Sequence, residues 1–176
     1  MITKSFEIEE RAVERIADLI CVAARTAPKA RGVDNLVVMT VKAREKDQLA
    51  EEMRKVAKEN GATFFERDAG NIEKAALVIL LGQKVKPMGT TPCGYCGWQN
   101  CGECEKNKGL CAISVGDLGI AIGAAAATAA DHHIDNRVMF SVGKAAINLG
   151  LFGEEVKVAY GIPLSISSKN PFFDRG

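Results

Sequence analysis

The chain has 176 residues, 47% of them hydrophobic and 26% charged, a balance that excludes a disordered chain or a collagen-like repeat and suits one globular domain. Lys plus Arg number 23 against 22 for Asp plus Glu, so a net charge of +1 supplies no overall field toward nucleic acid or an anionic membrane. Of six cysteines, five (Cys93, Cys96, Cys101, Cys104 and Cys111) fall within 19 residues.

The N-terminal segment MITKSFEIEERAVERI has no apolar core followed by a small-residue cleavage site, so the expected setting is the cytoplasm, where thiols stay reduced. Ala12, Val13, Ile16, Leu19, Ile20 and Ala23 recur at helical steps and predict a helix from about Ile8 to Arg25, stopped by Ala27-Pro28. Leu36 to Val41 is β-branched and reads as a strand. Glu45 to Lys58 is an amphipathic helix with Leu49, Met53, Val56 and Ala57 inward, and Asn60-Gly61 is its C-terminal cap. A buried strand follows over Ala75 to Leu81. From Gly82 to Cys111 the pattern is irregular and rich in Gly and Pro. Gly116 to Ala130 is then a helix, 132–137 a turn, Ser141 to Asn148 a helix, Val156 to Tyr160 a strand, and the tail SISSKNPFFDRG irregular.

These elements make a single α+β domain, α/β-like in the order of its parts, with a cysteine-rich loop at 83–111. The Ala- and Gly-rich stretch Ile113 to Ala130, interrupted by Asp117, falls short of a strongly apolar membrane span and reads as a core helix. Its Gly119, Gly123 and Ala127 place small residues on one face, open to close packing. Aromatic residues are too few and scattered for a nucleic-acid stacking platform.

The cysteine spacing is C-x2-C-x4-C-x2-C-x6-C. Structural zinc sites separate two C-x2-C knuckles by a dozen or more residues, whereas only four intervene here. A thioredoxin-like pair leaves three cysteines unexplained. An iron–sulfur cube is larger, and ligands from one loop plus a later cysteine suit it. Gly94, Gly97 and Gly102 directly follow cysteines, where a missing Cβ lets backbone N–H groups approach sulfur. Tyr95 and Trp98 are candidates to shield the site from water. Lys84, Lys86, Lys106 and Lys108 are candidates to offset its charge or to meet an acidic redox partner.

The stretch CGYCGWQNC resembles the C-G-x-C-G-x-x-x-C core of four-iron modules in electron-transfer and corrinoid iron–sulfur proteins. That resemblance implies a [4Fe–4S] cluster with Cys93, Cys96 and Cys101 as three ligands and Cys111 in the role of the fourth. Cys104, separated from Cys101 by two residues, competes for that place with a shorter reach. The segments Cys93 to Asp117, Asp117 to Ala146 and YGIPLSISSKNPFFDR together resemble an uncharacterised prokaryotic family labelled as containing a ferredoxin domain. More distantly, the order of elements is similar to the flavin nitroreductase fold. Ala27-Pro28-Lys29-Ala30 stands for its A-P-S-A loop, Asp117 to Ala130 for its central helix and Gly161-Ile162-Pro163 for its late strand. This likeness implies a nitroreductase-like sheet packed with helices, a homodimer and FMN, although the Arg-Arg-Ser phosphate grip expected ahead of the first helix is replaced by IEERAVERI.

His132-His133, between Asp131 and Asp135, reads first as a helix terminus where histidine complements the dipole. Arg137 is expected to pair with Asp135 or to hold a phosphate, and Cys21 to be a buried free thiol. No Walker loop, dinucleotide fingerprint or Ser-His-Asp signature occurs. The expected function is one-electron transfer through the cluster, to a redox partner protein or a small-molecule acceptor. Alternatives are an FMN-dependent oxidoreductase with the cluster as relay, and a zinc-stabilised binding module.

Overall fold

In the computed structural model, which describes residues 2–173, helix α1 (Ser5–Thr26) presents Val13, Ala17, Ile20 and Ala24 to the interior at helical spacing. Its C-terminal carbonyls would be orphaned by Pro28, but the Lys29 ammonium takes them up: Nζ lies 3.2, 2.6 and 2.9 Å from the carbonyl oxygens of Ala24, Arg25 and Ala27. A short 3₁₀ turn (Ala30–Gly32) then leads to β1 (Leu36–Val41). Helix α2 (Ala43–Asn60) ends at Gly61, whose φ of 64° closes the turn as the sequence predicts. A second helix, α3 (Thr63–Glu73), follows at once; Arg54 ties the two together, bonding Glu66 at 3.0 Å and Glu73 at 2.6 and 2.9 Å.

The remaining elements are β2 (Leu77–Lys84), α4 (Cys101–Lys106), α5 (Ala112–Asp131), β3 (Asp135–Asn136), α6 (Phe140–Asn148) and β4 (Val156–Ser165). The four strands form one antiparallel sheet in the order β1-β2-β4-β3. Strand β2 is central and covered on both faces, which is why its sequence is a continuous apolar run. Alternation sends Val78 and Leu80 to a core shared with α2, α3 and α6, and Leu77, Ile79 and Leu81 to a second core under α1 and α5. The molecule is a three-layer α–β–α arrangement.

Helix α5 is long and apolar enough, by length and composition, to cross a membrane, yet it belongs to this second core. Leu118, Ala121, Ala125 and Ala129 are buried against the sheet and α1, and the backbone N–H of Ala30 donates to both oxygens of its buried Asp117 at 3.1 Å. The opposite face, with Gly116, Gly119, Ile120, Gly123 and Ala127, is exposed. Beyond α5, Arg137 does not pair with Asp135. Its Nη1 donates to the Phe172 carbonyl at 2.9 Å and its guanidinium stacks on Phe173, while Asp135 accepts from Asn170. The irregular tail is thereby strapped over β3, with Phe172 buried.

Candidate metal centre

Strand β2 runs three residues past the predicted end, to Lys84, and the chain then passes through residues 85–100 without regular structure. The 3₁₀ turn anchors the start of this segment: Arg31 Nη1 donates to the Met88 carbonyl at 2.8 Å, with Met88 buried. Gly94 and Gly97, at φ 98° and 83°, form a tight turn closed by a 2.9 Å bond from the Gly97 N–H to the Gly94 carbonyl. Asn100 then starts α4, its side-chain oxygen accepting from the Glu103 N–H at 3.0 Å. The helical step from Cys101 to Cys104 turns both side chains toward one side. The chain reverses at Lys108-Gly109, where the Gly109 N–H bonds the Cys104 carbonyl at 2.8 Å. A Cβ on Gly109 would collide with the Trp98 indole and lie 3.1 Å from Cys104 Sγ, so the indole packs against this reversal. Two residues later, Cys111 is the N-cap residue of the 20-residue helix α5.

The five thiols differ in setting. Cys104 and Cys111 are buried, Cys96 and Cys101 half-buried, and Cys93 exposed. Burial pushes the Cys104 thiol up to about 11, and its interactions with Cys96, Cys111 and Cys101 push the same way. Among the described residues, no three His, Cys, Asp or Glu side chains are grouped closely enough to hold a metal ion as they stand. The cysteines offer soft thiol donors, with Glu103 and Glu105 flanking Cys104 in the chain.

Of the aromatic residues, Trp98 lies against the site and Tyr95 projects into solvent, 80% exposed. Lys84 and Lys86 are engaged by Glu155 at 2.7 and 3.1 Å, which holds that carboxyl below its ordinary range, while Lys106 and Lys108 are exposed. His132 is the C-cap residue of α5 and His133, at φ 57°, turns the chain out of it. A feature the sequence did not disclose is Gln83, fully buried at the end of β2. Its Nε2 donates to Ser114 Oγ at 3.1 Å, one turn into α5 from Cys111, and its Oε1 has no partner among the described residues.

Residues 107–175 match the family described as "Uncharacterized protein containing a ferredoxin domain (DUF2148)". That match takes in Cys111, α5 and the rest of the C-terminal half and begins after Cys104. A relative from Archaeoglobus fulgidus, described as an uncharacterized protein, is 34% identical over 183 residues, covering 99% of this chain and 98% of its own. The chain belongs to this ferredoxin-domain family. Among solved structures, it is similar to a nitroreductase with bound FMN from Desulfitobacterium hafniense, with a TM-score of 0.59 and 17% identity over 96% of this chain and 81% of that one. NfrA2 of Bacillus megaterium gives a TM-score of 0.56 at 16% identity over 89% of this chain, and nitroreductase A of Vibrio parahaemolyticus gives 0.55 at 15% over 89%. This ferredoxin-domain protein spans only 58% and 59% of those two chains. At such identities the likeness shows the fold: the helix-packed antiparallel sheet is nitroreductase-like.

Elsewhere, Cys21 on α1 is half-buried, and burial together with Asp18 raises its thiol to about 11. Because the folded-state value exceeds the unfolded value of 9.0, its contribution to stability is complete below pH 9 and lost as pH rises toward 11. The urea midpoint of the metal-free, reduced protein should fall between pH 9 and 11, and Cys21→Ala should flatten that fall. An unchanged slope in Cys21→Ala would remove Cys21 as a source.

Proposed function

We propose that this protein is a one-electron carrier whose cysteine-rich loop, within residues 83–111, holds a [4Fe–4S] cluster. The observation that carries the reading is the run of five free cysteines between the end of β2 and the head of α5, the last two of them buried. Cys93, Cys96 and Cys101 are the first three ligands in this reading, with Cys111 as the fourth and Cys104 as its competitor. A bound cluster would supply reversible uptake of single electrons. The protein's own part is to hold and insulate. Cys111 sits at the positive end of the α5 dipole, where an anionic cluster is favoured, and the Trp98 indole packs against the reversal beside Cys104. Cys104, protonated in the metal-free form, has to give up its proton if it becomes a ligand. Cys93, Tyr95 and Leu110 are exposed at the rim, open to a redox partner protein or a small-molecule acceptor. We place the protein in the cytoplasm, where the thiols stay reduced.

Anaerobically purified protein should be brown, with broad absorption around 400 nm and about four irons and four sulfides per chain. Colourless protein holding zinc would end the reading in favour of a zinc-stabilised module.

The nitroreductase-like sheet, shared with a structure that holds FMN, supports a second reading as a flavin oxidoreductase with the cluster as relay. Ahead of α1 the N-cap residue is Lys4 and the first turn carries Glu7, so the Arg-Arg-Ser grip of the flavin nitroreductases is not reproduced there. Release of flavin on denaturing the anaerobic protein would revive it. A homodimer through the exposed apolar face of α5 accompanies either reading, because the face is continuous and its glycines have open space above them. Light scattering should then return twice the chain mass.

A further inference from the structure

Among the described residues, one buried side-chain polar atom has no hydrogen-bond partner: Oε1 of Gln83. An amide group taken out of water and left unpaired costs about 1–3 kcal/mol, so an orphan of this kind marks a partner that the bare chain does not supply. Alternation along β2 puts Gln83 on the face of Ile79 and Leu81, toward α1 and α5. Gln83 is 1% exposed and Ser114 0%, and the 3.1 Å bond between Gln83 Nε2 and Ser114 Oγ fixes the amide against the first turn of α5. Cys111, the buried N-cap residue of that helix, precedes Ser114 by three residues and so lies about one turn away on the same side.

A second lack lies beside the first. Cys111 offers α5 no side-chain cap, and the N–H groups of Ala112, Ile113 and Ser114 come before the bond from the Val115 N–H to the Cys111 carbonyl that opens the helix. The Gln83 amide has two arrangements of one shape. In the first, Nε2 donates to Ser114 Oγ, the hydroxyl reaches the Lys84 carbonyl at a long 3.4 Å, and Oε1 stays idle. Turned by half a revolution, Oε1 accepts the Ser114 hydroxyl proton over the same 3.1 Å, and the two Nε2 hydrogens come to the place of the idle acceptor. Only the second arrangement suits an electron-rich sulfur, which accepts hydrogen bonds and gives none.

We infer that Gln83 is a hydrogen-bond donor to the iron–sulfur site, with Ser114 as the residue that positions it. In the loaded protein its amide donates to a sulfur at the head of α5, and this bond raises the reduction potential. The inference deepens the iron–sulfur reading above and rests on it. Gln83 is out of contact with water, so its N–H is not shared with solvent, and a donor at sulfur stabilises the more negative, reduced state more than the oxidised one.

The test compares wild type, Gln83→Met and Ser114→Ala, each purified or reconstituted without oxygen, by iron content and by redox titration followed by low-temperature electron paramagnetic resonance. Methionine is close to glutamine in shape and has no N–H to give, and circular dichroism of the metal-free form will show that the variant folds. Gln83→Met should keep about four irons and titrate at a lower potential, its one-electron equilibrium shifted about tenfold toward the oxidised form. Ser114→Ala, which loosens the amide without removing it, should move the potential the same way by less. A measurement on the unsubstituted holoprotein stands beside these: glutamine labelled with ¹⁵N in its side chain should give a nitrogen coupling in the pulsed spectrum of the reduced cluster, and the coupling should vanish in Gln83→Met. Full iron at an unchanged potential in Gln83→Met, or no coupling from the label in the wild type, overturns the inference while leaving the cluster in place; Gln83 then holds an internal water only. Wild-type protein that binds no iron overturns the underlying reading instead.

Discussion

Alanine at Gly143 should cost about 3 kcal/mol or more of folding stability. Helix α6 crosses β4 so closely that a Cβ at Gly143 would land on the backbone carbonyl of Ala159 and the amide of Tyr160. Neither is the movable end of a side chain. The helix would have to lift from the sheet, and with it Val142, Ala145 and Ala146, all buried in the core that α6 shares with α2 and α3. The crossing is also tied by the two bonds between Met139 and Gly161, at 2.8 and 2.9 Å, so lifting α6 strains the neighbouring bridge. Since a domain of this size holds only some 5–15 kcal/mol in total, the loss is large. The urea midpoint gives the measurement. Gly70→Ala in α3 is the control: nothing lies within 4 Å of the added methyl, so the substitution should stabilise by about 0.5–1 kcal/mol through helix propensity alone. Equal midpoints for the two variants would show that α6 does not sit as close to β4 as described.

The contrast between what the sequence discloses and what it hides follows from the length and polarity of each element. Strand β1 and helix α2 are visible because β-branched residues and a helical stripe persist for several steps, and Gly61 marks the stop. Helix α3 is hidden by that same stop. Its inward residues, Phe65, Ala69 and Ile72, keep helical spacing, but they follow a turn signal and sit among polar neighbours. Strand β4 extends to Ser165 through Gly161-Ile162-Pro163, where two residues that ordinarily weaken a strand argue for a break. Gly161 is tolerated there because Val142 of α6 fills the space a side chain would take.

At the candidate centre, the cysteines themselves are legible and their grouping is not. With residues 82–111 read as irregular loop, the short spacing from Cys101 to Cys104 looks like a constraint on reach. With α4 in place, the same spacing becomes the helical step that turns both thiols one way. The pairing of Lys84 and Lys86 with Glu155 was equally out of sight, since that partner is about 70 residues distant along the chain. Two of the four lysines expected to balance cluster charge are thereby committed elsewhere.

Cys111→Ser should separate the cluster from the fold by moving the two in opposite directions. Cys111 is the fourth ligand that the resemblance to four-iron modules implies, and it sits at the positive end of α5. A serine hydroxyl gives up its proton far less readily than a thiol, so the variant should lose the absorption near 400 nm and most of its roughly four irons. The helix should gain. In the native protein the Cys111 side chain makes no capping bond, and only its carbonyl serves the helix, accepting from the Val115 N–H at 3.0 Å. Serine is among the best N-cap residues, and its oxygen can accept from a first-turn N–H, for about 0.5–1 kcal/mol in the metal-free form. Thermal unfolding of the metal-free variant should therefore occur at or above the wild-type temperature, while the anaerobic holoprotein loses the extra stability that a bound cluster confers. A variant that keeps its full iron would remove Cys111 from the ligand set. A metal-free variant that melts well below wild type would mean that the thiol is needed for packing, and iron loss could then no longer be read as loss of a ligand.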